Sequence, residues 1–144
     1  SDAFMLRASP FVGVGGMYAT GQGQGNPIIV ARLGMQQQLW VEAQPNKIGG
    51  DDAVAIFSKD ARLTWKFTEP GRPVTLTESE QPSLWYIRRV VKPEDGQEVV
   101  QIVAKTDLLG ATWYADVGPD NMIVIKSIPV APPFTPGPVW QKHS

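Results

Sequence analysis

The chain has no cysteine and one histidine, and these two shortages remove most nucleophilic chemistry. Without a thiol there is neither a disulfide nor a thiolate. His143 stands one residue from the end, where fraying would deny a nucleophilic triad the fixed base it needs. Charge of one sign is also missing. Thirteen Lys and Arg face fourteen Asp and Glu, a net charge of −1 with no blocks, so nothing marks a nucleic-acid or anionic-membrane partner. No apolar run is long enough to span a bilayer or to form a signal-peptide core. No stretch holds a 3.6-residue period through three turns, which leaves helices little room. Neither a cofactor nor a metal is expected. The chain opens on Ser1-Asp2 and not on methionine, so the compartment stays open; cytoplasm or vacuole is the expectation, with secretion still allowed.

What the chain does have is a threefold recurrence. Trp40, Trp85 and Trp140 are separated by 45 and 55 residues, with similar flanks: Gln38-Leu39-Trp40-Val41, Ser83-Leu84-Trp85-Tyr86 and Pro138-Val139-Trp140-Gln141. Each stands at the end of a set of four short apolar segments bounded by Gly, Pro, Asp or Ser, the punctuation of β-strands and turns. The first strands are read at Phe4–Ala8, Val54–Phe57 and Val99–Ala104, and the second at Met17–Thr20, Leu63–Thr68 and Thr112–Val117. The third are read at Ile28–Ala31, Val74–Thr77 and Met122–Ile128. Alternation such as Leu63-Thr64-Trp65-Lys66-Phe67 turns one face inward at a period of two, and Leu39 and Ile125 are expected in the core. Three copies of a four-strand unit predict an all-β protein, a β-trefoil of twelve strands in one domain over residues 1–144. Its first and fourth strands should form a six-stranded barrel and its second and third strands three capping hairpins.

Three further motifs have bland readings. The acidic pairs Asp51-Asp52 and Glu94-Asp95 sit in Gly- or Pro-flanked turns and read as solvated charges, because glycosidase-type acid and base work needs carboxylates converging in a cleft. Gly21-Gln22-Gly23-Gln24-Gly25 is followed by Asn26-Pro27 and a strand. A phosphate cradle needs a helix N-terminus there, so this is a hairpin connection. Gln38-Leu39-Trp40 fits the Gln-x-Trp element of sugar-binding trefoils, but Ser83 and Pro138 replace the glutamine in the other repeats. A carbohydrate-binding trefoil is thus the alternative function, and the tryptophans read more simply as core anchors.

Several stretches point to a family. Phe4-Met5-Leu6-Arg7-Ala8, then Val14-Gly15-Gly16-Met17-Tyr18-Ala19-Thr20, is similar to an opening strand and Gly-Gly-x-Tyr-Ala stretch of the mycocypins, the clitocypin- and macrocypin-type mushroom inhibitors of papain-like cysteine proteases. Gln36-Gln37-Gln38-Leu39-Trp40 resembles their Gln-Gln-Ile-Trp element, and Met122 to Lys126, Ile128-Pro129-Val130 and Pro138-Val139-Trp140 resemble their closing pattern. The likeness is tightest in the first 40 residues and the last 25; the middle repeat is not diagnostic. It implies a fungal-type, defensive or regulatory inhibitor that is not an enzyme. The implied partner is a papain-like cysteine protease bound one to one by a monomer.

The resemblance also implies which loops act: those between strands one and two (Ser9 to Gly16) and between strands three and four (Arg32 to Gln36). Strand alternation brings both to the same end of the first repeat. The protease-binding residues are then Pro10, Phe11, Gly13, Val14, Gly15 and Gly16 in one loop, and Leu33, Gly34 and Met35 in the other. Pro10-Phe11 makes a stiff apolar point, and the glycines permit close backbone approach. A second site falls on Ser58-Lys59-Asp60-Ala61-Arg62. In the family, the matching loop carries asparagine in legumain inhibitors and a basic residue in members acting on trypsin. Lys59, Asp60 and Arg62 stand here without asparagine, which turns the expectation from legumain to a trypsin-like serine protease. Trypsin's pocket pairs an acidic group with a basic side chain.

Overall fold

The computed structural model describes residues 2–8, 16–44, 51–60, 62–94 and 97–144, without the side chains of 91–94 and 97. The first repeat gives β1 (Met5–Ala8), β2 (Met17–Thr20), β3 (Ile29–Arg32) and β4 (Trp40–Ala43). The second gives β5 (Ala55–Ser58), β6 (Thr64–Lys66), β7 (Thr75–Thr77) and β8 (Trp85–Glu94). The third gives β9 (Gln97–Ala104), β10 (Ala111–Val117), β11 (Ile123–Pro129) and β12 (Trp140–His143). Among the described residues the only helical element is one 3₁₀ turn at Pro119–Asn121.

Each tryptophan opens the fourth and last strand of its repeat. This placement explains how the barrel closes. Trp40 bridges Phe4 of its own repeat and pairs with Ser58 of the next. Trp85 does the same with Val54 and Ala104, and Trp140 with Val100 and Ala8. The antiparallel order β1-β12-β9-β8-β5-β4 thus returns to β1, a six-stranded ring without an edge.

All three indoles are buried, and each donates its Nε1–H to a backbone carbonyl of the second strand: Trp40 to Ala19 at 3.2 Å, Trp85 to Trp65 at 3.4 Å and Trp140 to Ala115 at 2.9 Å. The three environments are related as a pseudo-threefold repeat requires. The symmetry breaks at the acceptor position, where Ala19 and Ala115 are matched by Trp65. That ring packs edge-to-face on Trp40 and Trp85 at centroid distances of 5.4 and 5.9 Å, the geometry that π quadrupoles favour.

The second and third strands pair as hairpins, β2 with β3, β6 with β7 and β10 with β11. They meet in a ring of main-chain hydrogen bonds. Ile28 N–H donates to Val74 O at 2.8 Å, Val74 N–H to Ile123 O at 2.7 Å, and Ile123 N–H to Ile28 O at 2.8 Å. All three residues are fully buried, so each repeat satisfies a polar group of the next. Six-stranded barrel and three-hairpin cap together make the β-trefoil that the sequence predicts.

Other expectations shift. Ile125 is in the core, but Leu39 is 39% exposed. In an extended chain neighbouring side chains point to opposite faces, and Trp40 takes the inward one. His143 does not fray. It pairs with Met5 and Gln97 on its two sides. Asp51 is not a solvated turn charge: its carboxylate accepts from the Ala53 N–H at 3.1 Å and is paired with Lys105. Both contacts favour the anion and, with Lys105 foremost, hold the Asp51 carboxyl below the usual range.

Candidate functional site

The site is built on the connection between β3 and β4. Leu33 and Met35 stand on it 58% and 55% exposed, on either side of Gly34 at φ +101°. That conformation suits glycine. Two apolar side chains in water on one short loop form a surface that gains by being covered.

Gln38 holds this loop in shape. Its side chain is buried; Oε1 accepts from the Gly34 N–H at 3.0 Å, and Nε2 donates to Arg32 O at 2.7 Å and Thr20 Oγ1 at 3.0 Å. The Thr20 hydroxyl in turn donates to Tyr18 O at 2.7 Å, completing a network from β2 across the loop. Both ends of the amide are therefore used inside the protein, and the Gln-x-Trp glutamine is not presented to a sugar. Ser83 and Pro138 at the matching positions leave this brace to the first repeat.

Of the residues expected in the loop between β1 and β2, Pro10, Phe11, Gly13, Val14 and Gly15 lie outside the described residues. Gly16 is described and stands just before β2. A Cβ there would run into the Arg7 guanidinium as the chain enters β2.

The turn between β5 and β6 presents Lys59, Asp60 and Arg62 to solvent, with Arg62 in the left-handed region at φ +55°. Lys59 and Asp60 make no ion pair among the described residues. Of the basic side chains in other connections, Lys105 is tied to Asp51 and Arg72 to Glu69, and Lys47 lies outside the described residues.

Two loops that the sequence treats as separate sites lie side by side. Leu33, Gly34 and Met35 from the one and Ser58, Lys59 and Asp60 from the other line the same open groove of ≈ 320 Å³. Met5, Gln37, Gln38 and Leu39 complete it. Met5 and Leu39 were absent from the expected site, although strand alternation carries the signal. Leu6 and Trp40 are inward, so their neighbours Met5 and Leu39 must face out.

No cluster of three His, Asp or Glu side chains placed for a metal exists among the described residues. His143, the one imidazole, has its Nε2 buried without a hydrogen-bond partner among the described residues, and its ring meets Tyr18 edge-on at 6.0 Å. These surroundings lower its pKa, through burial first and Arg7 second. The arrangement offers a surface shaped by internal hydrogen bonds, with no nucleophile paired to the imidazole among the described residues. Among family models, that of the clitocypin peptidase inhibitors matches residues 3–142. No curated protein matches.

Proposed function

Since the chain belongs to the clitocypin family of peptidase inhibitors, we propose that it blocks papain-like cysteine peptidases with the loops of its first repeat, as a one-to-one complex. The observation that carries this reading is the β3–β4 loop, which puts Leu33 and Met35 in water on a backbone already fixed by Gln38. Ordering a loop on binding costs affinity, and a loop held beforehand avoids most of that cost. A nanomolar inhibitor needs about −12 kcal/mol and an interface of about 800 Å² on its own side, which two adjacent loops can supply. The residues Pro10, Phe11, Gly13, Val14 and Gly15 enter through the family resemblance alone.

Inhibition of papain by the Leu33→Glu, Met35→Glu variant is the direct test. Both side chains are exposed, so the fold should survive by circular dichroism while inhibition weakens at least a hundredfold, about 2.7 kcal/mol. Wild-type inhibition by the folded variant would remove this loop from the site.

Trypsin-like serine peptidases are a second reading, favoured by Lys59, a basic side chain exposed on a tight turn without an ionic partner among the described residues. The sugar-binding alternative loses its main support, because the Gln38 amide is engaged internally.

A further inference from the structure

Resting on the reading that the first-repeat loops block a cysteine peptidase, we infer that the β5–β6 turn belongs to the same footprint. A peptidase seated on the β3–β4 loop then covers Lys59 and Asp60, and a second enzyme cannot reach that turn while the first is bound.

The register of the barrel brings the two loops together. β4 and β5 pair antiparallel with Trp40 opposite Ser58, so the residues before Trp40 lie beside those after Ser58. Lys59 N–H donates to Leu39 O at 3.2 Å, a direct link between the two connections. The turn is closed from its other side by Ser58 N–H donating to Leu63 O at 2.8 Å, while the Ser58 hydroxyl accepts from Leu63 N–H at 3.3 Å. The turn that carries Lys59 and Asp60 is therefore tied to the connection that carries Leu33 and Met35.

Size decides the rest. A standard interface takes about 800 Å² from each partner, a patch roughly 30 Å across. Two loops joined by one hydrogen bond cannot each sit at the centre of such a patch without overlap. Within the shared footprint the groove lining includes apolar Met5 and Leu39, and the exposed Lys59 and Asp60 bring adjacent charges of opposite sign. The matching enzyme surface has an apolar side chain to enter the groove and an acid and a base beside it. Rim charges of this kind chiefly set association rate and partner choice.

The absence of cysteine makes the test clean. Lys59→Cys introduces a unique thiol that can carry a bulky polyethylene-glycol maleimide. Papain inhibition is then measured for the wild type and for the variant before and after modification. Leu109→Cys with the same polymer serves as reference, since Leu109 is 96% exposed on the third repeat. The inference expects at least a hundredfold weakening at position 59 on modification and less than threefold at position 109. Complete loss in the unmodified but folded Lys59→Cys variant also places Lys59 in the footprint. Equal inhibition with and without polymer at 59 overturns the inference and leaves the first-repeat reading standing. If the wild type does not inhibit papain, the parent reading fails and this one with it.

Discussion

His143 illustrates how a single side chain can be held in place and still do no chemistry. It is fixed by pairing on both sides of its strand, yet its Nε2 meets no partner among the described residues and the Arg7 guanidinium lies nearby. Burial and Arg7 both favour the neutral imidazole, so the folded pKa lies below the ordinary 6.5 while the unfolded one does not. The unfolded chain then binds the proton first on acidification. Stability should be level above the unfolded value and fall as pH drops through about 6.5, until the folded group titrates as well. Replacing His143 by Phe should flatten that part of a melting-temperature profile, measured between pH 7.5 and 5; an unchanged slope would show that the imidazole is not the titrating group. Leu39 makes a related point. Its place next to an inward tryptophan, and not its hydrophobicity, decides that it faces out.

At the scale of elements, the β3–β4 loop depends on partners that no local reading of the chain could supply. Gln38 reaches Thr20 on β2 and Arg32 at the end of β3, and these contacts exist only once the hairpin has formed. Gln38→Ala would leave the Gly34 N–H, the Arg32 carbonyl and the Thr20 hydroxyl each without that contact. The expected cost is about 1 to 3 kcal/mol of stability, read by thermal melting, with papain inhibition weaker by at least tenfold as the loop loses its fixed shape. Unchanged values for both would mean the brace is redundant. The twelve strands themselves were legible, because period-two alternation and Gly or Pro punctuation are local signals. The starting points of the fourth strands were less so, since the residues before each tryptophan are apolar too. The shared groove could not be read at all. It follows from the pairing of Trp40 with Ser58 across the boundary between repeats, whereas the sequence order made these two loops look like independent sites. Asp51 escaped for the same reason, as its partner Lys105 is 54 residues away.

For the whole molecule, the hydrogen-bond ring through Ile28, Val74 and Ile123 has a kinetic consequence. Its links join residues 46, 49 and 95 positions apart, so no link can form within one repeat and the last cannot close until both other hairpins are in place. Loop-closure entropy must be overcome before these contacts return anything, which is the condition for slow folding of non-local β structures. Refolding, followed by the fluorescence of five tryptophans that are all buried in the native state, should take milliseconds to seconds and not microseconds. A peptide of the first repeat alone should show no stable hairpin. Microsecond recovery of native fluorescence, or a folded single repeat, would mean that the ring forms after the rate-limiting event. The groove that Leu33 and Met35 share with Lys59 and Asp60 is complete only once the second repeat has joined the first, because Lys59 N–H reaches Leu39 O across their boundary.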